Sequence, residues 1–163
     1  MPIDFEPFVK ASHFFLITGE VRCYSCHHPT PASSLLVDGF LEDDGDGDWV
    51  DYEERALLRY PERLDTAGLA AVSASAPCMQ FGRSETANTE YLANHCQHCH
   101  ALQGDWFLSE AGEIFFPTDS KEMQHFRIGR FDQPLVARAY SSLFSWLDDL
   151  ELPQQGDGPA HKL

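Results

Sequence analysis

Cys23-Tyr24-Ser25-Cys26-His27 and Cys96-Gln97-His98-Cys99-His100 repeat one pattern at two distant places, with 69 residues between Cys26 and Cys96. Two residues between cysteines allow a tight turn to aim both sulfurs at one point, with backbone N–H groups free to bond them. Two such turns complete a tetrahedral set of thiolates, the set that structural Zn²⁺ takes, and leave no ligand position open for water or substrate. The pattern predicts a zinc site built from Cys23, Cys26, Cys96 and Cys99 that holds the fold and does no chemistry. Two other readings use the same residues. Each pair is followed by a histidine, and Cys-x-x-Cys-His is the attachment pattern for c-type haem, so a dihaem electron carrier is the alternative. Either pair could instead cycle between dithiol and disulfide, although no βαβ pattern surrounds them.

Five of the eight histidines stand at or beside the pairs: His27, His28, His95, His98 and His100. They are candidates to replace a thiolate, to form a second metal site, or to sit solvated at the rim. The fifth cysteine, Cys78, stands alone between Pro77 and Met79 and reads as a buried, inert thiol.

The chain has 163 residues, a size served by one core. An apolar fraction of 43% excludes wholesale disorder. Eleven Lys+Arg stand against 26 Asp+Glu, for a net charge of −15. That balance disfavours nucleic acid and anionic membrane surfaces, whose affinity comes largely from Lys and Arg, and favours a basic protein partner. The opening residues have neither a basic stretch nor an apolar one of secretory type, and no apolar run is long enough to span a bilayer. The expectation is a cytoplasmic protein with reduced thiols.

Along the chain, Phe14 to Thr18 reads as a strand ended by Gly19, and Leu35 to Leu41 as a second one, with Pro29 and Pro31 as breaks before it. Residues 42–48, Glu-Asp-Asp-Gly-Asp-Gly-Asp, are a loop by composition. From Trp49 the period changes: Trp49, Tyr52, Ala56, Leu57 and Tyr60 fall on one helical stripe, with Asp48 as N-cap and Pro61 as stop. The stretch Leu64 to Pro77 stays open. Trp106–Leu108 and Ile114–Phe116 read as a hairpin. Leu135 to Leu150 keeps helical spacing, capped by Asp132, although Leu135–Tyr140 also fits a strand. The expectation is an α+β fold, mostly antiparallel sheet with few helices, its zinc-ribbon-like knuckles joined by a long insertion. Residues 1–152 form a single zinc-stapled domain in this reading, and residues 153–163 a flexible polar tail.

Residues 38–54 hold nine carboxylates and no Lys or Arg. As a twelve-residue calcium loop from Glu42 to Glu53, the register puts Asp44 third, Asp46 fifth and Gly47 sixth. Glu replaces Asp at the first position, and a strand-like run precedes the loop where a helix belongs. The other readings are a solvated loop at the start of the Trp49 helix, and a docking surface for a basic partner.

No phosphate-cradling glycine loop, nucleophile elbow, zinc-protease helix or deaminase signature is present. The sequence leans away from an enzyme, and no catalytic residue is assigned. Cys23-Tyr-Ser-Cys26-His-His-Pro-Thr30 and Tyr91-Leu-Ala-Asn94-His-Cys96-Gln-His-Cys99-His-Ala-Leu-Gln103-Gly104-Asp105 resemble a loose group of uncharacterised bacterial proteins with two zinc-knuckle-like Cys-x-x-Cys pairs. The resemblance implies zinc binding through the four cysteines and no assigned activity. The histidine after each pair departs from the glycine or lysine expected there. Asn94, Gln103, Gly104 and Asp105 look like a frame for the second knuckle, with Gly104 turning the chain into a following strand. The functional expectation is a cytosolic zinc-binding interaction module that binds or neutralises a basic protein, such as a toxin.

Overall fold

Phe14-Phe15-Leu16-Ile17 has no polar residue because the strand it forms is covered on both faces. Phe14 and Leu16 enter one core with Leu35, Val37, Ala56 and Leu58, whereas Phe15 and Ile17 enter a second with Leu36 and Leu57. Alternation of period two thus holds, but both halves of the alternation are apolar.

The computed structural model describes residues 5–156. In chain order these form β1 (Val9–Ala11), β2 (Phe14–Arg22), β3 (Pro29–Asp43), β4 (Trp49–Leu64), α1 (Thr66–Ser75), β5 (Met79–Ser84) and β6 (Thr89–His95). There follow β7 (Leu102–Gln103), α2 (Asp105–Leu108), α3 (Ser120–Met123), β8 (Arg127–Phe131), β9 (Leu135–Ser142) and a 3₁₀ helix (Ser145–Asp149). The strands make a six-stranded sheet in the order β1-β9-β4-β3-β2-β8 and a three-stranded sheet β5-β6-β7. Every pairing is antiparallel, so the α+β class with few helices holds. Because β1 bonds both β9 and β3, the strands β1, β9, β4 and β3 form a closed ring. Two bulges let the sheet curl that far, one at Gly39 with φ +78° and one between Arg59 and Arg63. No helix among the described residues is long and apolar enough to cross a membrane.

Several expectations change. The residues from Trp49 onward form a strand of 16 residues, not a helix. Their helix-like spacing arises because the first half of β4 lies in an exposed hairpin, while Ala56-Leu57-Leu58 is buried on both faces. Tyr52 stacks on its cross-strand partner Phe40 at 5.0 Å. The acidic loop is therefore the β3–β4 hairpin turn: Asp43 accepts from the Gly45 N–H, Asp44 accepts from those of Asp46 and Asp48, and Gly45 and Gly47 take φ of +94° and +90°. Glu42 and Glu53 lie on its two strands rather than at the ends of a helix-flanked calcium loop.

Pro29 and Pro31 lie inside β3. Ser33 spends its N–H and C=O on the side chain of Asn94, so its backbone points away from β2. The prolines share its parity and need no donor toward β2. The open stretch after Leu64 is α1, capped by Asp65. Instead of the 106–116 hairpin, α2 is followed by turns in which the Phe115 N–H returns to the Leu108 carbonyl. Gly104 accordingly leads into a short helix, not a strand. Leu135–Ser142 takes the strand alternative, and only Ser145–Asp149 is helical, as a 3₁₀ turn whose Leu147 and Leu150 carbonyls accept from Arg55. Asp132 caps no helix: it pairs with Arg130 at 2.6 Å. Of the tail, residues 153–156 are tied down, with the Pro153 carbonyl on Arg130 and the Gly156 N–H on Asp132. Residues 157–163 of that tail, and the first four residues of the chain, lie outside the described residues.

Met79 of β5 and Leu92 of β6 pack into the core of the larger sheet, and the two sheets also meet at two hydrogen-bonded points. Asn94, 2% exposed on β6, donates to the Ser33 carbonyl at 2.9 Å and accepts from its N–H at 2.8 Å, standing in for one rung of a ladder. At the other, Tyr60 sits in the β4 bulge with φ +50°, a conformation disfavoured for a bulky residue. Its N–H donates to Asp105 Oδ2 at 2.8 Å, its ring meets that of Tyr91 edge-on at 5.1 Å, and the Asp105 N–H donates to the Tyr91 hydroxyl at 3.0 Å. Burial of the Asp105 carboxyl pushes it up to about 6, against the opposing pull of the Tyr60 N–H and Arg59. Between pH 4 and 6 the unfolded chain therefore ionises Asp105 while the folded protein keeps its proton, so this group costs stability as pH rises and adds nothing further above 6. The variant Asp105→Asn keeps an acceptor for Tyr60 without that cost. Its stability relative to the parent, from denaturant titrations, should rise from pH 4 to 6 and then level off; a difference independent of pH would refute the assignment.

Candidate metal centre

Each Cys-x-x-Cys pair lies in a turn between antiparallel strands, the first between β2 and β3, the second between β6 and β7. The two turns are built alike. The His27 N–H donates to the Cys23 carbonyl at 3.0 Å, and the Cys23 N–H to the His28 carbonyl at 2.9 Å. The His100 N–H donates to the Cys96 carbonyl at 3.0 Å, and the Cys96 N–H to the Ala101 carbonyl at 2.9 Å. Both turns need a residue of positive φ just after the second cysteine, and histidine fills it twice: His27 at +64° and His100 at +66°.

The four Sγ atoms of Cys23, Cys26, Cys96 and Cys99 lie within 4.8 Å of one another, in a group that could hold a metal ion. Across the turns, Cys23 to Cys99 and Cys26 to Cys96 are each 3.6 Å. Backbone N–H groups approach the sulfurs, Ser25 and Cys26 toward Cys23 at 3.4 and 3.5 Å and His98 toward Cys96 at 3.3 Å. The buried Gln103 side chain donates to Cys23 Sγ at 3.3 Å and to the Ala101 carbonyl at 2.9 Å, bracing both turns. Two contacts fasten the second turn to β3: the Gln97 N–H donates to Thr30 Oγ1 at 3.0 Å, and its side-chain amide to the Pro29 carbonyl. Cys23 and Cys96 are buried, Cys26 is half-buried and Cys99 is exposed, so the group sits at the surface with one sulfur open to water.

The thiols do not titrate alike. Burial raises Cys23, but the N–H groups of Cys26 and Ser25 and the neighbouring thiols outweigh it and hold Cys23 at about 6. The His28 N–H favours a Cys26 thiolate, yet burial and the three neighbouring sulfurs push Cys26 up to about 11. Cys96 is lowered: burial opposes ionisation, and the N–H groups of Cys99 and His98 overcome it. Without a cation, ionisation of one sulfur disfavours ionisation of the next. A cation among them removes that conflict.

Of the five histidines, none belongs to the group of candidate ligands among the described residues. His27, His28, His98 and His100 are exposed around it. The rings of His28 and His98 face each other across the two turns at 4.9 Å, and His95 Nδ1 lies 3.0 Å from the Ala93 carbonyl. Cys78 is half-buried rather than buried and stands outside the group, its carbonyl accepting from the His95 N–H at 2.8 Å. Gln103 meets the framing role expected of it, whereas Asn94 bonds the backbone of Ser33 on β3 rather than the second turn. Thr30 and Ser33 were missed, and no local signal marks them, since each acts through a partner more than 60 residues away. The chain matches no protein-family model, no curated protein and no solved structure.

If the two histidines are there for backbone geometry, His27→Gly and His100→Gly should leave metal content unchanged and be neutral or stabilising by up to about 1 kcal/mol. Elemental analysis with thermal melting checks this, and loss of bound metal in either variant would make the histidines ligands.

Proposed function

We propose that the chain is a protein-interaction module stapled by one structural Zn²⁺ on Cys23, Cys26, Cys96 and Cys99, and that its partner is a basic protein. The observation that carries the metal is the convergence of four sulfurs. A tetrahedron with Zn–S bonds of 2.3 Å has S···S edges of about 3.8 Å, close to the 3.6 Å separations across the turns. Four sulfur donors with no carboxylate favour Zn²⁺ over the hard cations. The same convergence weighs against the dihaem reading: two haems, one per pair, would need the pairs well apart. The resemblance of the two cysteine stretches to zinc-knuckle proteins agrees with this reading.

Support for a basic partner comes from the net charge of −15, to which four thiolates and one divalent cation would add two further negative charges. Nine carboxylates lie along residues 38–54, on β3, β4 and the turn between them, a surface suited to steering a cationic protein. A basic toxin that this chain neutralises is one partner of suitable charge.

The purified protein should contain close to one zinc per chain and show no Soret band. Removal of the metal by a chelator, or Cys96→Ser, should lower the melting midpoint by roughly 10 °C or more, since structural zinc contributes several kcal/mol and each is worth about 2–4 °C at this size. A haem spectrum in the absence of zinc would overturn the metal assignment. Affinity capture at low and at high salt tests the partner: basic proteins should be retained at low salt and released at high salt.

A further inference from the structure

Beside the metal centre lies an open cleft of about 1440 Å³, lined by residues of β2, the first cysteine turn, β4, β6, β7 and α2. Tyr24, Trp106 and Phe107 line it with 59%, 60% and 61% of their surface exposed, a concentration of bare aromatic rings that marks a contact surface. Neither sheet nor helix covers them. The charges around them are unequal. Glu20, Glu85, Asp105, Glu113 and Glu122 all line the cleft, against Arg22 and Arg83. Both arginines are engaged within the chain, Arg22 on the His27 carbonyl at 3.0 Å and Arg83 on Asn88 Oδ1 at 2.8 Å. So are two of the carboxylates, Asp105 by the Tyr60 N–H and Glu122 by the Thr118 N–H, each at 2.8 Å, which leaves Glu20, Glu85 and Glu113 to face a cation.

We infer that this cleft receives an arginine side chain carried on an extended segment of a basic protein. A guanidinium is planar and weakly hydrated, so it can lie on the face of Trp106 or Phe107 while its edge donates to a carboxylate. The lining of the cleft includes both elements, whereas the β3–β4 turn supplies carboxylates without an open aromatic platform: Trp49 beside it is already covered by Lys10, 4.1 Å from the ring. Long-range attraction belongs to the turn and specific seating to the cleft. The inference rests on the reading of the chain as a module for a basic partner and adds where that partner is held.

The three tryptophans make the test direct, because Trp106 lies in the cleft, Trp49 at the acidic turn, and Trp146 in the core at 7% exposure. The indole N–H signals of the metal-loaded, full-length protein would be followed by NMR during titration with acetyl-Arg-Gly-Arg-Gly-Arg-amide and with its twin bearing neutral citrulline. The arginine peptide should shift the Trp106 signal saturably, with Trp49 and Trp146 unmoved, and bind at least ten-fold tighter than the citrulline twin. Phe107→Ala and Glu85→Gln, both at exposed positions, should each weaken that binding several-fold with zinc content and melting midpoint unchanged. Saturable shifts confined to Trp49 would place cation binding at the turn, overturning this inference while leaving the basic-partner reading intact. Equal binding of the two peptides at Trp106 would remove the cationic requirement and overturn the inference. No response to the arginine peptide at any tryptophan would overturn both.

Discussion

Four sulfur atoms meeting at one point is the constraint on which the rest of the structure depends. The first cysteine turn belongs to the six-stranded sheet and the second to the three-stranded sheet, so their meeting holds the sheets together at one end. The bare sulfurs cannot all ionise together: the three neighbouring sulfurs push Cys26 up. A divalent cation held there would turn that repulsion into attraction and would couple completion of the fold to its binding. The sheets are also joined by an apolar contact, Met79 and Leu92 of the small sheet entering the core with Leu35, Val37, Ala56 and Leu58, and by the Asn94 bridge to Ser33 and the Tyr60–Asp105–Tyr91 group.

The span between the two turns is substantial. Residues 27–95 supply β3, β4, α1, β5 and β6, which include strands of both sheets. They are the body of the fold rather than an appendage to a small ribbon. Closing so long a loop carries an entropic cost that grows only slowly with length, so a distant pair of turns is little harder to join than a near one. The acidic hairpin lies within this span, and the cleft takes part of its lining from it, Tyr60, Tyr91 and the residues from Arg83 to Ala87, while the bare rings Tyr24, Trp106 and Phe107 come from outside it. The hairpin extends from the β3–β4 pair, and the cleft opens where β4 bulges at Tyr60 toward Tyr91 and Asp105. The acidic hairpin, part of the cleft lining and both cysteine turns are therefore joined through the same strands.

The cysteine turns were legible because their signal is local. Two residues between sulfurs dictate the turn, and the turn dictates where both sulfurs point. The short apolar run at Phe14 was legible for the same reason. Trp49–Tyr60 was misread because its helix-like spacing is produced by a strand that is exposed at one end and buried on both faces at the other, a change that depends on which strands lie alongside it. The prolines of β3 were misread as breaks because they share the parity of Ser33, whose backbone turns away from β2, and that register is set by pairing between strands rather than by local sequence.

Residue spacing alone therefore settled what adjacent residues can do together: the two cysteine turns, the acidic turn, the antiparallel α+β character and the excess of negative charge. Tertiary structure alone decided which turns meet, that β1 closes a ring with β9, β4 and β3, and that bare aromatic rings share a cleft with several carboxylates. The division has one physical cause. A turn is stabilised within a few residues of itself, whereas sheet register, bulges and clefts arise from contacts between segments far apart in the chain, whose favourable energy no single segment carries.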